Sequence, residues 1–153
     1  MNHEPVLLPE SISYLDLRPG LVVLDATLGD GGHSRAIGQA IGASGHLIAL
    51  DADPAAVEKV KKTMTNLPCK LDLVVGNFRE LERFLKILGI SRTDRAFFDL
   101  GLASPQLADP TRGFSFQTEG PLLMTLAGGD TAGWNAARLV NELTLPQLAD
   151  VLI

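Results

Sequence analysis

The stretch Leu21-Val-Val-Leu-Asp25-Ala-Thr-Leu-Gly29-Asp-Gly31-Gly32-His33-Ser34 decides the fold. An apolar run ends in an acid, passes through three glycines in four residues and reaches a helix-start residue. Open α/β sheets present a small-molecule ligand in this way, at the carboxyl end of the first strand. The glycines let the backbone turn sharply and come close to a ligand. Ser34 is expected to cap the next helix, whose free N–H groups then face the same crevice. A second acid, Asp51, closes the next apolar run, Leu47-Ile-Ala-Leu50. An acid there grips ribose hydroxyls, so the pair points to a nucleoside-containing cofactor.

The dinucleotide fingerprint asks for G-x-G-x-x-G or a closing alanine. Gly29 and Gly31 fit it, but Ser34 stands in the third place. Asp25 has no task at a dinucleotide site. It suits the ammonium group of S-adenosylmethionine (SAM), and the local reading leans to SAM over NAD. The plain alternative is an ordinary strand-to-helix turn, which needs one glycine rather than three.

Around this motif, strands and helices alternate. Pro9 to Leu15 reads as a short helix with proline in its first turn. Helices are expected over Ser34 to Ile41 and from Asp53-Pro54, a cap followed by a first-turn proline, to about Met64. Leu81, Phe84, Leu85 and Leu88 fall on one helical face. Apolar runs at Leu21–Asp25, Leu47–Asp51, Leu71–Val75 and Ala96–Leu100 read as four strands. Such alternation builds right-handed βαβ units and a parallel sheet. Beyond Gly101 comes a loop-rich stretch, then helices over Asn135–Asn141 and Pro146–Ile153. The last apolar stripe, Leu145, Leu148, Val151 and Leu152, stops with the chain, as in an incomplete domain. The division expected is a SAM-binding core over residues 1–106 and a loop-rich segment opening a helical insertion over 107–153.

Bulk properties fit a globular domain. The 153 residues are 46% apolar and 20% charged, with a formal charge of -5. No basic face supports RNA or DNA binding by charge alone. The single Cys69 suits a reducing compartment, and a cytoplasmic location is expected. Met1-Asn-His-Glu-Pro is no signal peptide, and no apolar run approaches a membrane span. The three histidines and Cys69 lack metal-ligand spacing, so no metal is expected. Ser34 and Ser104 lack a histidine partner for acyl transfer.

Chemistry in such a sheet gathers at the strand ends. Those ends offer Asp25, Gly29 to His33, Asp51, Gly76-Asn77-Phe78, and Asp99 through Ser104 to Gln106. Phe78 lies against an adenine or under the next helix. Asp99 stands where a transferred methyl is delivered, or caps a helix, although no periodic helix starts at Leu100. Arg112, Phe114 and Phe116 form a set that meets a phosphate and stacks a base, or that merely anchors its loop. His33 serves as a base or, more simply, shapes the turn.

These motifs, with His3-Glu-Pro-Val-Leu-Leu and Leu50-Asp-Ala-Asp-Pro54, occur in one order along the chain. Together they closely resemble the RsmH (MraW) family of 16S ribosomal RNA cytosine-N4 methyltransferases. The resemblance implies a Rossmann-like SAM-dependent methyltransferase fold. It implies that Gly31, Gly32, His33, Asp51, Phe78, Asp99 and Gln106 contact SAM. It implies small-subunit ribosomal RNA as partner and a cytidine amine as acceptor. Asp99 and Ser104 then belong to the catalytic end, and Arg112, Phe114 and Phe116 to the RNA. Members of the family are about twice this long, so the chain reads as an N-terminal portion. Its open sheet edge is then expected to promote self-association. Where the family has an acid and an arginine, this chain has Leu123 and Thr125; Ala103 replaces a serine. A SAM-binding remnant without activity is the alternative.

Overall fold

A computed structural model describes residues 5–128 and 133–152. His3 and Glu4 of the first motif, and Ile153 of the last helix, lie outside the described residues. The chain forms two compact units, Met1–Leu100 and Gly101–Ile153. The change falls six residues before the division drawn from sequence.

The first unit is a four-stranded parallel sheet. Its strands are β1 (Val22–Asp25), β2 (His46–Asp51), β3 (Lys70–Val75) and β4 (Arg95–Phe97), in the order β3-β2-β1-β4. A short helix α1 (Leu8–Tyr14) precedes β1. Helices α2 (Gly32–Ile41), α3 (Pro54–Thr63) and α4 (Leu81–Ile87) connect the strands. The central strands β1 and β2 are apolar on both faces because helices cover both. Val23, Leu47 and Ala49 pack with Ile37 and Ile41 of α2 and with Val57 and Val60 of α3. On the other face Leu24, Ile48 and Leu50 meet Leu81, Leu88 and Ile90. Asp53 accepts the Ala55 N–H at 2.9 Å and caps α3, with Pro54 at its first position, as its sequence requires.

The chain runs outward from β1 to β3 and then returns to the far side of β1. The order therefore reverses between β1 and β4, the place at whose carboxyl ends such sheets bind ligands. One strand is shorter than expected: β4 ends at Phe97, not at Leu100. Its ladder partner β1 ends at Asp25, paired with Phe97, and then turns into the glycine loop. Beyond that point β1 offers β4 no further edge.

The second unit contains α5 (Ser104–Ala108), α6 (Ala136–Glu142) and α7 (Leu145–Leu152). The short α5 lies in the stretch expected to be irregular. Two loop strands cross tightly there, with Met124 N–H donating to the Arg112 carbonyl at 2.8 Å. Gly113, at φ 70°, suits this crossing, because a Cβ on it would collide with the Pro121 carbonyl. No helix among the described residues is long and apolar enough to cross a membrane.

Candidate active site

The glycine turn hangs from the end of β2. Leu28 N–H donates to the Leu50 carbonyl at 2.9 Å, and Gly29 N–H donates to Asp51 Oδ2 at 2.8 Å. The other Asp51 oxygen accepts the Asp53 N–H at 2.9 Å. Asp51 thus joins the glycine turn to the start of α3 while staying partly exposed.

Two expectations about this turn need correction. Ser34 does not cap α2. The helix begins two residues earlier, at Gly32, behind a left-handed Gly31 and without a side-chain cap. The Ser34 hydroxyl instead donates to Asp25 Oδ2 at 2.6 Å, and both residues are fully buried. Asp25 is likewise not presented to a ligand's ammonium group. Its second oxygen accepts the Thr27 N–H at 3.1 Å, so the carboxyl faces its own loop and helix, closed to solvent. Burial pushes its pKa up, while the bonds from Ser34 and Thr27 and the nearby His33 pull it down.

His33 is also buried. Its Nε2 lies 3.2 Å from the Val6 carbonyl and its Nδ1 3.8 Å from Asp99 Oδ2. Phe97 covers its ring, with centroids 4.6 Å apart. The segment before α1 thus crosses the start of α2. Gly32 leaves room for it, since a Cβ there would strike the Pro5 ring. Asp99, expected at a strand end, lies two residues past β4 with 55% of its side chain exposed. Its N–H donates to Thr27 Oγ1 at 2.7 Å. Phe78 is no core residue: it is 42% exposed and meets Phe98 edge to face at 5.7 Å. The first unit therefore offers two accessible acids, an aromatic pair and a glycine turn at the strand ends.

In the second unit, Ser104, Phe114 and Phe116 line one open pocket of about 520 Å³ with Leu107 and Thr118. Phe116 is 99% exposed. Gln106 is turned to its own loop: its amide oxygen accepts the Ala103 N–H at 3.0 Å and its amide nitrogen donates to the Leu126 carbonyl at 3.4 Å. Arg112 is not presented to a phosphate. Its guanidinium pairs with Asp109 at 3.4 Å and donates to the Leu126 carbonyl at 3.0 Å, with only 12% of the side chain exposed. Bonds from Thr111, and then Arg112, hold the Asp109 carboxyl below its usual range.

The whole chain, residues 1–153, matches the MraW methylase family. The chain belongs to that family. It is 47% identical to the ribosomal RNA small subunit methyltransferase H of Thermomicrobium roseum over 150 residues, 98% of this chain and 45% of that protein. It is 41% identical to the protein of the same name from Acidiphilium cryptum, over 99% of this chain and 47% of the other. The chain thus spans about half the length of the curated relatives it matches.

Solved structures share the fold. A Clostridium thermocellum protein described as an rRNA methylase superposes with a TM-score of 0.56 at 20% identity, covering 67% of this chain and 57% of that one. A protein-L-isoaspartate O-methyltransferase gives 0.51 at 18% identity, covering 64% and 30%. The fold is the Rossmann-like fold of SAM-dependent methyltransferases, and SAM is the cofactor of the MraW methylase family. The groups at the strand ends suit it chemically: acids to accept from its hydroxyls and ammonium, and a half-exposed aromatic pair for its adenine.

Sequence reasoning missed Thr27, Phe98 and Val6. A threonine in a loop and an aromatic past a strand carry no periodic signal. The Thr125 hydroxyl is buried with no hydrogen-bond partner among the described residues, a feature that ordinarily costs stability.

Proposed function

We propose that this chain carries the cofactor site of a methyltransferase acting on the N4 amine of a cytidine in small-subunit ribosomal RNA. The observation that carries the reading is the exposed Asp99 beside the glycine turn, at the reversal of strand order. Asp51 accepts the ribose hydroxyls, Phe78 covers the adenine, and the uncapped start of α2 favours the carboxylate. Gly29, Gly31 and Gly32 keep the turn low, and His33 shapes it. When bound, SAM supplies an electrophilic methyl on sulfur.

The exocyclic amine of cytosine is a poor nucleophile, because its lone pair is delocalised into the ring. Asp99 accepts its N–H bonds and draws them out of the ring plane. In the second unit, Ser104, Phe114 and Phe116 line a pocket that takes an unstacked RNA base. The phosphate role expected of Arg112 is dropped, since the loop already occupies its guanidinium. A second reading, SAM binding without transfer, draws on Leu123 and on a Thr125 hydroxyl with no partner among the described residues.

The test is transfer of labelled methyl from SAM to undermethylated small subunits. It is run with these 153 residues and with a chimera carrying the remaining half of the Thermomicrobium relative. The 153 residues are expected to bind SAM without transfer, and the chimera to yield N4-methylcytidine. A chimera that binds SAM yet leaves the cytidine unmodified favours the second reading. Self-association through the outer side of β4 is part of the proposal, because β4 pairs only with β1 among the described residues. Sedimentation velocity is expected to show a concentration-dependent dimer, and a monomer at all concentrations removes that part.

A further inference from the structure

We propose that Thr27 is a positioning residue that sets the backbone of Asp99. The inference rests on the reading that Asp99 faces SAM. Past Phe97, β4 has no ladder partner, since β1 has already turned away. The Phe97 carbonyl accepts the Ala26 N–H at 2.9 Å, and the next tie to that loop is the Asp99 N–H on Thr27 Oγ1 at 2.7 Å. Thr27 is itself held from below. Its N–H donates to Asp25 Oδ1 at 3.1 Å, and Asp25 Oδ2 takes the Ser34 hydroxyl at 2.6 Å.

A continuous line of hydrogen bonds thus runs from Ser34 in α2, through the buried acid, to the exposed one. Its inner members are fully buried, so they have no competing water. A threonine side chain is stiff at χ1, which presets the direction of its oxygen. The buried Asp25 therefore acts on the crevice at one remove, by fixing the loop that holds Asp99. With its backbone held there, the Asp99 carboxylate stays 3.8 Å from His33 Nδ1 and open to the ligand.

The experiment compares the wild-type chain with Thr27→Val, Thr27→Ser and Asp99→Ala. Calorimetry reads the affinity for S-adenosylhomocysteine, and NMR reads exchange of the Asp99 amide. Thr27→Val keeps the shape but removes the acceptor, and is expected to weaken binding about tenfold. Thr27→Ser keeps the oxygen and is expected to bind within about threefold of wild type. The Asp99 amide should exchange at least about tenfold faster in Thr27→Val than in Thr27→Ser. Wild-type affinity in Thr27→Val, with affinity lost in Asp99→Ala, overturns the proposal. Unchanged affinity in Asp99→Ala overturns the site reading instead. Should Thr27→Val not fold, the wild-type amide decides alone: protection supports the tie, and exchange as fast as an open loop refutes it.

Discussion

Asp25→Ala is expected to cost roughly 3–5 kcal/mol of folding stability, a large share of what a domain this size possesses. The substitution orphans the fully buried Ser34 hydroxyl and removes the acceptor of the half-buried Thr27 N–H. Each such loss costs about 1–3 kcal/mol, and the missing carboxyl leaves a small void as well. Asp25→Asn keeps the size and one acceptor oxygen, and should cost less. It should also change the dependence on pH.

Burial raises the Asp25 pKa in the folded chain. The folded state then binds this proton more tightly than the unfolded state does. Its contribution to stability is fullest below the unfolded pKa and is lost as pH rises through the folded one. The gap between the wild-type chain and Asp25→Asn should therefore shift against the wild type from about pH 4 upward. Urea unfolding at about pH 4, 5.5 and 7 reads both effects. An alanine variant within about 1 kcal/mol of wild type, or parallel pH profiles, would contradict them.

Asp51→Ala is expected to weaken SAM binding by about 1–3 kcal/mol, roughly 5- to 150-fold. Two losses combine. The ribose hydroxyls lose a charged acceptor, and the glycine turn loses its hold on β2 through the Gly29 N–H. The start of α3 also loses the Asp53 N–H bond. Asp51→Asn separates these losses. The amide keeps one acceptor for the backbone but offers a weaker, neutral partner to the ribose, so its affinity should fall between wild type and alanine. Calorimetric titration of the three chains gives the order. Equal affinities would move the ribose contact elsewhere.

The sheet was legible because its signals are local. Leu47 to Leu50 form an unbroken apolar run, and all four are completely buried. Asp53-Pro54 marks the start of α3 to the residue. The placing of Asp25 and Asp51 at strand ends was legible because each closes an apolar run. What escaped were partnerships across the chain. Ser34 looks like a cap by itself, and only folding brings Asp25, nine residues earlier, within reach of its hydroxyl. Arg112 looks like a phosphate ligand until the Leu126 carbonyl, fourteen residues on, comes within 3.0 Å. The end of β4 was misread because its length is set by β1, not by its own apolar run. Thr27 gave no warning at all, since its partner Asp99 lies 72 residues away.

Titration of the folded 153-residue chain with S-adenosylhomocysteine and, separately, with NAD tests the cofactor site most directly. One-site binding of S-adenosylhomocysteine is expected, at least about tenfold tighter than NAD and weakened by Asp51→Ala. Tighter binding of NAD, or no binding of S-adenosylhomocysteine by the folded chain, would contradict the assignment of the β1–β4 crevice to SAM.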